Sequence, residues 1–224
     1  YHNGVASIKG TKYPDEYVII SGHLDSYDVA TGGIDCGTGI GPMMEAARMI
    51  ALSGAKPKRT ILFVAFAGEE FGLLGAKAYV KTHAKELGKI ANLFNRDGGP
   101  TPPVGISVPQ AMYDDFVEVC KPVKEIRADY PFEVKVAKPF KRPTQSGGTD
   151  ASVFAVEGVP TFGFNTQDIK GYNFSYGEIW HTERDLYTKN IPEYQEHAAT
   201  VTAVVALGIA NLSKQLSREG MHKK

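Results

Sequence analysis

A histidine and a set of carboxylates stand where apolar runs of this chain stop. His23-Leu24-Asp25 follows residues 17–22 (YVIISG), Glu69-Glu70 follows residues 60–67 (TILFVAFA), and Asp97 follows residues 90–94. Asp35 lies in a glycine-rich stretch just before a helical pattern, and His181 sits in WHTERD, residues 180–185. Gathering several carboxylates in one place is costly, because like charges raise one another's pKa and burial penalises each ionised group. A divalent cation removes that penalty. Imidazole nitrogen and carboxylate oxygen, with no thiolate required, suit catalytic zinc with one position left open, and cobalt or manganese accept the same donors. Alone, His23 reads as a buried histidine satisfied by a neighbour, and Glu69-Glu70 as acids favourably placed at a helix N-terminus. Recurrence at three strand ends is what points to a metal site.

The elements that must position these groups follow from hydrophobic period. Runs 17–22 and 60–67 are short, continuous and apolar, as expected for strands buried on both faces. Residues 41–52 have helical spacing and stop near Ser53-Gly54. Further helices are expected over 73–87, 113–127, 151–157 and 192–216, with strands at 1–8, 90–94, 132–137 and 161–165 and a polar loop at 143–148. Strands alternating with helices predict an α/β domain, a three-layer αβα sandwich on a mostly parallel central sheet. In such sheets ligands bind outside the carboxyl ends of the strands, where His23, Glu69, Glu70 and Asp97 stand. In a strand, residues i and i+2 share a side, so Asp25 is expected to orient the His23 imidazole.

Bulk properties narrow the partners. The 224 residues, 42% hydrophobic, fit one large domain. Twenty-five basic residues balance 25 acidic ones, so no net field recruits nucleic acid or an anionic membrane, and a peptide or small molecule is the expected partner. Cys36 and Cys120 are too few for a disulfide framework. No apolar run reaches the roughly 20 residues that cross a bilayer, and no secretory signal opens the chain. A strand pattern beginning at once with Tyr1 is expected of a fragment of a longer precursor.

Beyond these readings, the chain resembles a known family. GHLDSYDVATGGIDCGTG (residues 22–39), AFAGEEFGLLGA (65–76), NRDGG (95–99), SGGTDASVFAVEGVPTFGF (146–164) and WHTERD resemble, in order, segments of the co-catalytic zinc aminopeptidase and glutamate carboxypeptidase family, which includes bacterial leucyl aminopeptidase-like enzymes. The opening GHLDS-x-DV is most similar to the plasma glutamate carboxypeptidase-type dipeptidases. The resemblance implies the zinc-exopeptidase, phosphorylase-hydrolase-like fold and two zinc ions. It implies that Asp35 bridges them, that His23 and Asp97 complete one site, and that Glu70 and His181 complete the other. Glu69 would then be the general base that takes a proton from a water shared by the metals. Peptides or dipeptides with a free N-terminus are the implied substrates, and a secreted or periplasmic location the implied address.

The sequence departs from the family at two points. Cys36 stands where a second Asp often follows the bridging one, and its thiol is itself a potential metal donor. Trp180 stands where Tyr often precedes the last histidine, so an indole N–H replaces a hydroxyl. Thr149 and Asp185 are candidates for supporting His181, and Trp180, Ser146, Gly147 and Tyr172 for touching substrate, with Phe174 and Tyr176 in the same aromatic stretch. His2, His83, His197 and His222 lack comparable surroundings and are expected to be structural or solvated. Two other functions remain open: a glutaminyl cyclase-like acyltransferase, which uses one zinc, and a non-catalytic binding module on the same scaffold.

Overall fold

The computed structural model describes residues 2–223, so Tyr1, the start of the first expected strand, lies outside them. Strand β1 is Gly4–Ile8, β2 Tyr13–His23, helix α1 Gly37–Leu52, β3 Arg59–Phe66, α2 Leu74–Thr82, β4 Ile90–Asn95 and β5 Pro103–Pro109. After these come α3 Tyr113–Ile126, β6 Glu133–Ala137, β7 Phe140–Lys141, α4 Asp150–Val156, β8 Thr161–Phe162, β9 Phe164–Thr166, α5 Pro192–Ala210 and β10 Met221–Lys223.

The main sheet has the order β1-β3-β2-β4-β8. Its four inner and far strands run parallel, and only β1 on the edge is antiparallel to β3. The register pairs His23 with Phe66, and Arg96 N–H continues the β4 ladder by donating to Ser21. The carboxyl ends of β3, β2 and β4 therefore lie side by side, with β2 in the middle.

Strand period 2 divides the core into two faces. Val18, Ile20, Ile61 and Phe63 face one apolar cluster together with Met43, Ala46, Phe116, Val201 and Val205 from α1, α3 and α5. Ile19, Val64 and Phe66 face the other with Ala76, Val80, Val153 and Phe154 from α2 and α4. Helices cover both faces, giving the expected three-layer α/β arrangement. A second, mixed sheet, β6-β5-β9, and the pair β10-β7 extend it.

Several boundaries differ from those read in the sequence. Helix α1 begins four residues before 41, over the glycine-rich Gly37-Thr38-Gly39, whose low intrinsic helicity is overridden by packing. A Cβ at Gly39 would lie 2.3 Å from the Arg96 carbonyl oxygen, so only glycine permits that approach. Strand β5 was not among the expected elements; Pro103 occupies its first position, where no ladder N–H is needed. The expected strand at 161–165 breaks at Gly163 into β8 and β9, which join different sheets. The last helix stops at Ala210 rather than running to 216, because the Leu212 carbonyl turns back to accept from the Arg59 guanidinium at 2.7 Å. Helix α2 ends at Thr82, not at 87.

Candidate active site

The three adjacent strand ends deliver their polar residues to one place. His23 closes β2, Asp97 follows β4, and Glu69-Glu70 leave β3 after Gly68, whose φ of 72° lets the chain turn. His23 Nε2 lies 2.9 Å from Asp35 Oδ1 and 3.4 Å from Asp97 Oδ1. The donor atoms of His23, Asp35 and Glu70 all lie within 4.8 Å of one another, and His181 Nε2 is 2.9 Å from Glu70 Oε2. Asp97, His23, Asp35, Glu70 and His181 thus form one continuous chain of donors with Asp35 at its centre. Asp35, Glu69, Glu70, Asp97 and His181 line a cleft of about 360 Å³ together with Ser146, Gly147, Trp180 and Lys77.

The chemistry of this donor set suits a cation. Glu70 Oε1 is buried and has no hydrogen-bond partner among the described residues. Burial would lower the His23 pKa, but hydrogen bonding to Asp35 and Asp97 outweighs it and holds the imidazole far above its ordinary value. Burial raises the Glu70 carboxyl, and the Asp35 charge raises it further. Asp35 itself is held low, because contacts with His23 and Tyr176 overcome its burial. Positive charge is demanded at the centre, and the donors are nitrogen and oxygen, the set that suits zinc. The residues fit a divalent metal, with Asp35 central among the donors.

Glu69 differs from its neighbour. It lines the same cleft, and burial, reinforced by the Asp97 charge, pushes its pKa to about 8. A carboxylate with its pKa near neutrality is suited to accepting and returning a proton.

Asp25 acts differently from expectation. The His23 Nδ1–H donates to the Asp25 backbone carbonyl at 2.9 Å, while the carboxylate is 3.9 Å away. That carboxylate instead accepts the backbone N–H of Glu69 at 3.0 Å and of Glu70 at 3.2 Å. The reason is chain direction: Leu24 N–H still pairs with Phe66 of β3, so the Asp25 side chain lands over the turn that follows β3.

Asp185 likewise supports another residue than His181. Its carboxylate accepts Ile34 N–H at 2.6 Å and Asp35 N–H at 3.1 Å, tying the WHTERD segment to the Asp35 loop. Gly33 makes this possible, since a Cβ there would lie 2.2 Å from the Leu186 carbonyl carbon. Thr149 does not reach His181 either; its hydroxyl accepts from the Asn95 side chain at 2.6 Å, bracing the end of β4. Tyr172 is absent from the cleft wall: its hydroxyl donates to Glu193 and its ring packs edge-on against Tyr194.

The structure adds residues that sequence reading passed over. The Tyr27 ring stacks on His181 at 4.2 Å and 5°, with Trp180 against the same imidazole at 4.1 Å. His181 has φ 58°, a conformation that costs a non-glycine residue about 1–2 kcal/mol. Asp150 is fully buried with both carboxylate oxygens unpartnered, and burial, helped by Asp97 and Asp25, pushes its pKa to about 7. Tyr27 gave no signal beyond lying in the loop after His23, and Asp150 resembled an ordinary acid opening a helix. The remaining histidines have other neighbours: His83 pairs with Glu86, His197 donates to the Pro103 carbonyl, and His222 contacts Thr161.

The chain is similar to several known proteins. The model of Peptidase family M28 matches residues 3–205. Carboxypeptidase Q of Rattus norvegicus is 32% identical over 216 residues, covering 96% of this chain and 43% of the relative. The structure of a Peptidase M28 precursor from Shewanella amazonensis SB2B is similar with TM-score 0.79 and 33% identity, covering 96% of this chain and 46% of that one. BSAP, a zinc aminopeptidase from Bacillus subtilis, shares the fold with TM-score 0.70 and 21% identity, over 99% of this chain and 53% of that one. The chain thus spans less than half the length of the curated relative it matches.

Proposed function

The chain belongs to peptidase family M28, and on that premise we propose that it is the catalytic domain of a di-zinc exopeptidase, an aminopeptidase or dipeptidase. One observation carries the reading: His23 and Glu70 both lie beside Asp35, with Asp97 against His23 and His181 against Glu70, in the cleft that Glu69 also lines. His23, Asp97 and Asp35 would hold one ion, and Glu70, His181 and Asp35 the other. When bound, zinc supplies Lewis acidity toward a carbonyl oxygen and brings the pKa of a water down to about 7.

The chain's own residues do the rest. Glu69 Oε accepts the proton of the attacking water and returns it to the departing amine. Asp25 fixes where Glu69 starts, through the two backbone N–H groups it accepts. Acidic groups around the ions favour a substrate's free α-ammonium, which confines cleavage to a peptide end. Trp180, Ser146 and Gly147, on the cleft wall, would contact the substrate. An extracytoplasmic address belongs to the same reading, and no helix among the described residues is long and apolar enough to cross a membrane.

The test is metal analysis with a dipeptide and aminoacyl-amide panel, on the wild type and Glu69→Gln. Two zinc ions per chain and a loss of roughly 10²–10⁴ in kcat in the variant, with both ions retained, are expected. Full activity in the zinc-loaded variant would remove Glu69 from its role. One ion per chain would favour the cyclase reading, and two ions without hydrolysis the binding-module reading.

A further inference from the structure

The residue after Asp35 brings a third kind of donor to the same cluster. Cys36 Sγ lies within 4.8 Å of the ligating atoms of both His23 and Asp97. It is 2% exposed and donates to the Arg96 carbonyl at 3.1 Å. Two glycines shape its seat: a Cβ at Gly39 would stand 2.4 Å from the sulfur, and one at Gly22 3.3 Å. Backbone from β2, α1 and the end of β4 therefore closes around the sulfur and holds it beside the imidazole that ends β2.

Arg96 is itself tied to the backbone around this seat. The Arg96 guanidinium donates to the carbonyls of Thr38, Gly99 and Thr101, and among the described residues it forms no ion pair with a carboxylate.

We propose that Cys36 Sγ is a direct ligand of the ion held by His23 and Asp97, making that half of the site a mixed nitrogen, oxygen and sulfur site. The inference rests on the di-zinc reading and goes beyond it. On coordination the S–H proton leaves to solvent as the sulfur–metal bond forms, and the contact with the Arg96 carbonyl is given up. A thiolate is a soft donor, so this half of the site selects zinc, cobalt or cadmium over manganese or magnesium, while the half built from Glu70 and His181 does not.

X-ray absorption at the zinc edge of the zinc-loaded chain tests this directly. Zinc with a sulfur neighbour at about 2.3 Å, averaging one sulfur per two ions, is expected in the wild type and in Cys120→Ser, and its loss in Cys36→Ser. The cobalt-loaded proteins should show a thiolate-to-cobalt charge-transfer band in the near ultraviolet with the same pattern. Should Cys36→Ser fail to fold, the wild type and Cys120→Ser still decide, because the chain has only these two thiols. Two bound zinc ions with nitrogen and oxygen neighbours alone would overturn the Cys36 assignment and leave the di-zinc reading standing. A wild type that binds no zinc would overturn both.

Discussion

Asp185 holds the backbone of Asp35: its carboxylate accepts the Asp35 N–H at 3.1 Å and the neighbouring Ile34 N–H at 2.6 Å across 150 residues of chain. The donor at the centre of the cluster is therefore positioned by the segment that also carries His181. Asp185→Asn keeps the size and loses one acceptor. Metal affinity is expected to fall by roughly 10–100-fold, read by competition with a zinc chelator. Unchanged affinity would show that the Asp35 loop holds itself.

Asp25 gives a second test of support from outside the metal ligands. Asp25→Ala leaves the buried N–H groups of Glu69 and Glu70 without their acceptor, at about 1–3 kcal/mol each. Because Glu69 moves protons and Glu70 holds metal in the reading above, kcat should fall about tenfold or more with KM little changed. A change confined to KM would place Asp25 in substrate binding instead.

The metal-free protein should lose stability as pH rises. Glu69, at about 8, and Asp150, at about 7, have folded pKa values above their ordinary ones, so the folded state binds more protons in this range. His23, held far above 6.5, adds to the same slope. Where the folded state holds more protons, stability falls with rising pH. Chelated protein should melt at a progressively lower temperature from pH 6.5 to pH 8, and saturating zinc should remove the trend. A flat or rising profile in the chelated protein would contradict the charge arrangement.

His197 predicts the opposite slope at lower pH. Burial, against which the hydrogen bond to Pro103 works only partly, lowers its pKa to about 4, and its Nδ1 is buried without a partner. Its ring also stacks on Tyr130 at 4.0 Å. The unfolded chain then takes up a proton near 6.5 that the folded chain refuses, so this stability is complete above 6.5 and lost as pH falls toward 4. Urea unfolding of zinc-free wild type at pH 7 and pH 5 should show about 2 kcal/mol more loss than His197→Gln. Equal losses in the two proteins would show that His197 does not titrate in this window.

The strands that carry His23, Glu69-Glu70 and Asp97, and the fold class, were legible because a buried strand is a local message: a short apolar run that ends in polar residues. The ligand candidates were legible for the same reason, being the residues on which those runs end. Glycine- and proline-rich pieces were passed over, as at Gly37-Thr38-Gly39 and Pro103–Pro109, since their weak local preference is decided by what packs against them.

By itself the sequence determined which residues could ligate and that the ends of β2, β3 and β4 would present them, because side-chain period and run length act over a few neighbours. Only the tertiary structure decided that β2 lies between β3 and β4 and so puts His23 between Glu69-Glu70 and Asp97, that Asp185 serves Asp35 and Asp25 serves Glu69, and that Tyr172 turns away to Glu193. It also decided that Cys36 meets His23 and Asp97. Those relations depend on strand order, register and contacts spanning up to 150 residues, and no spacing within a single segment encodes them.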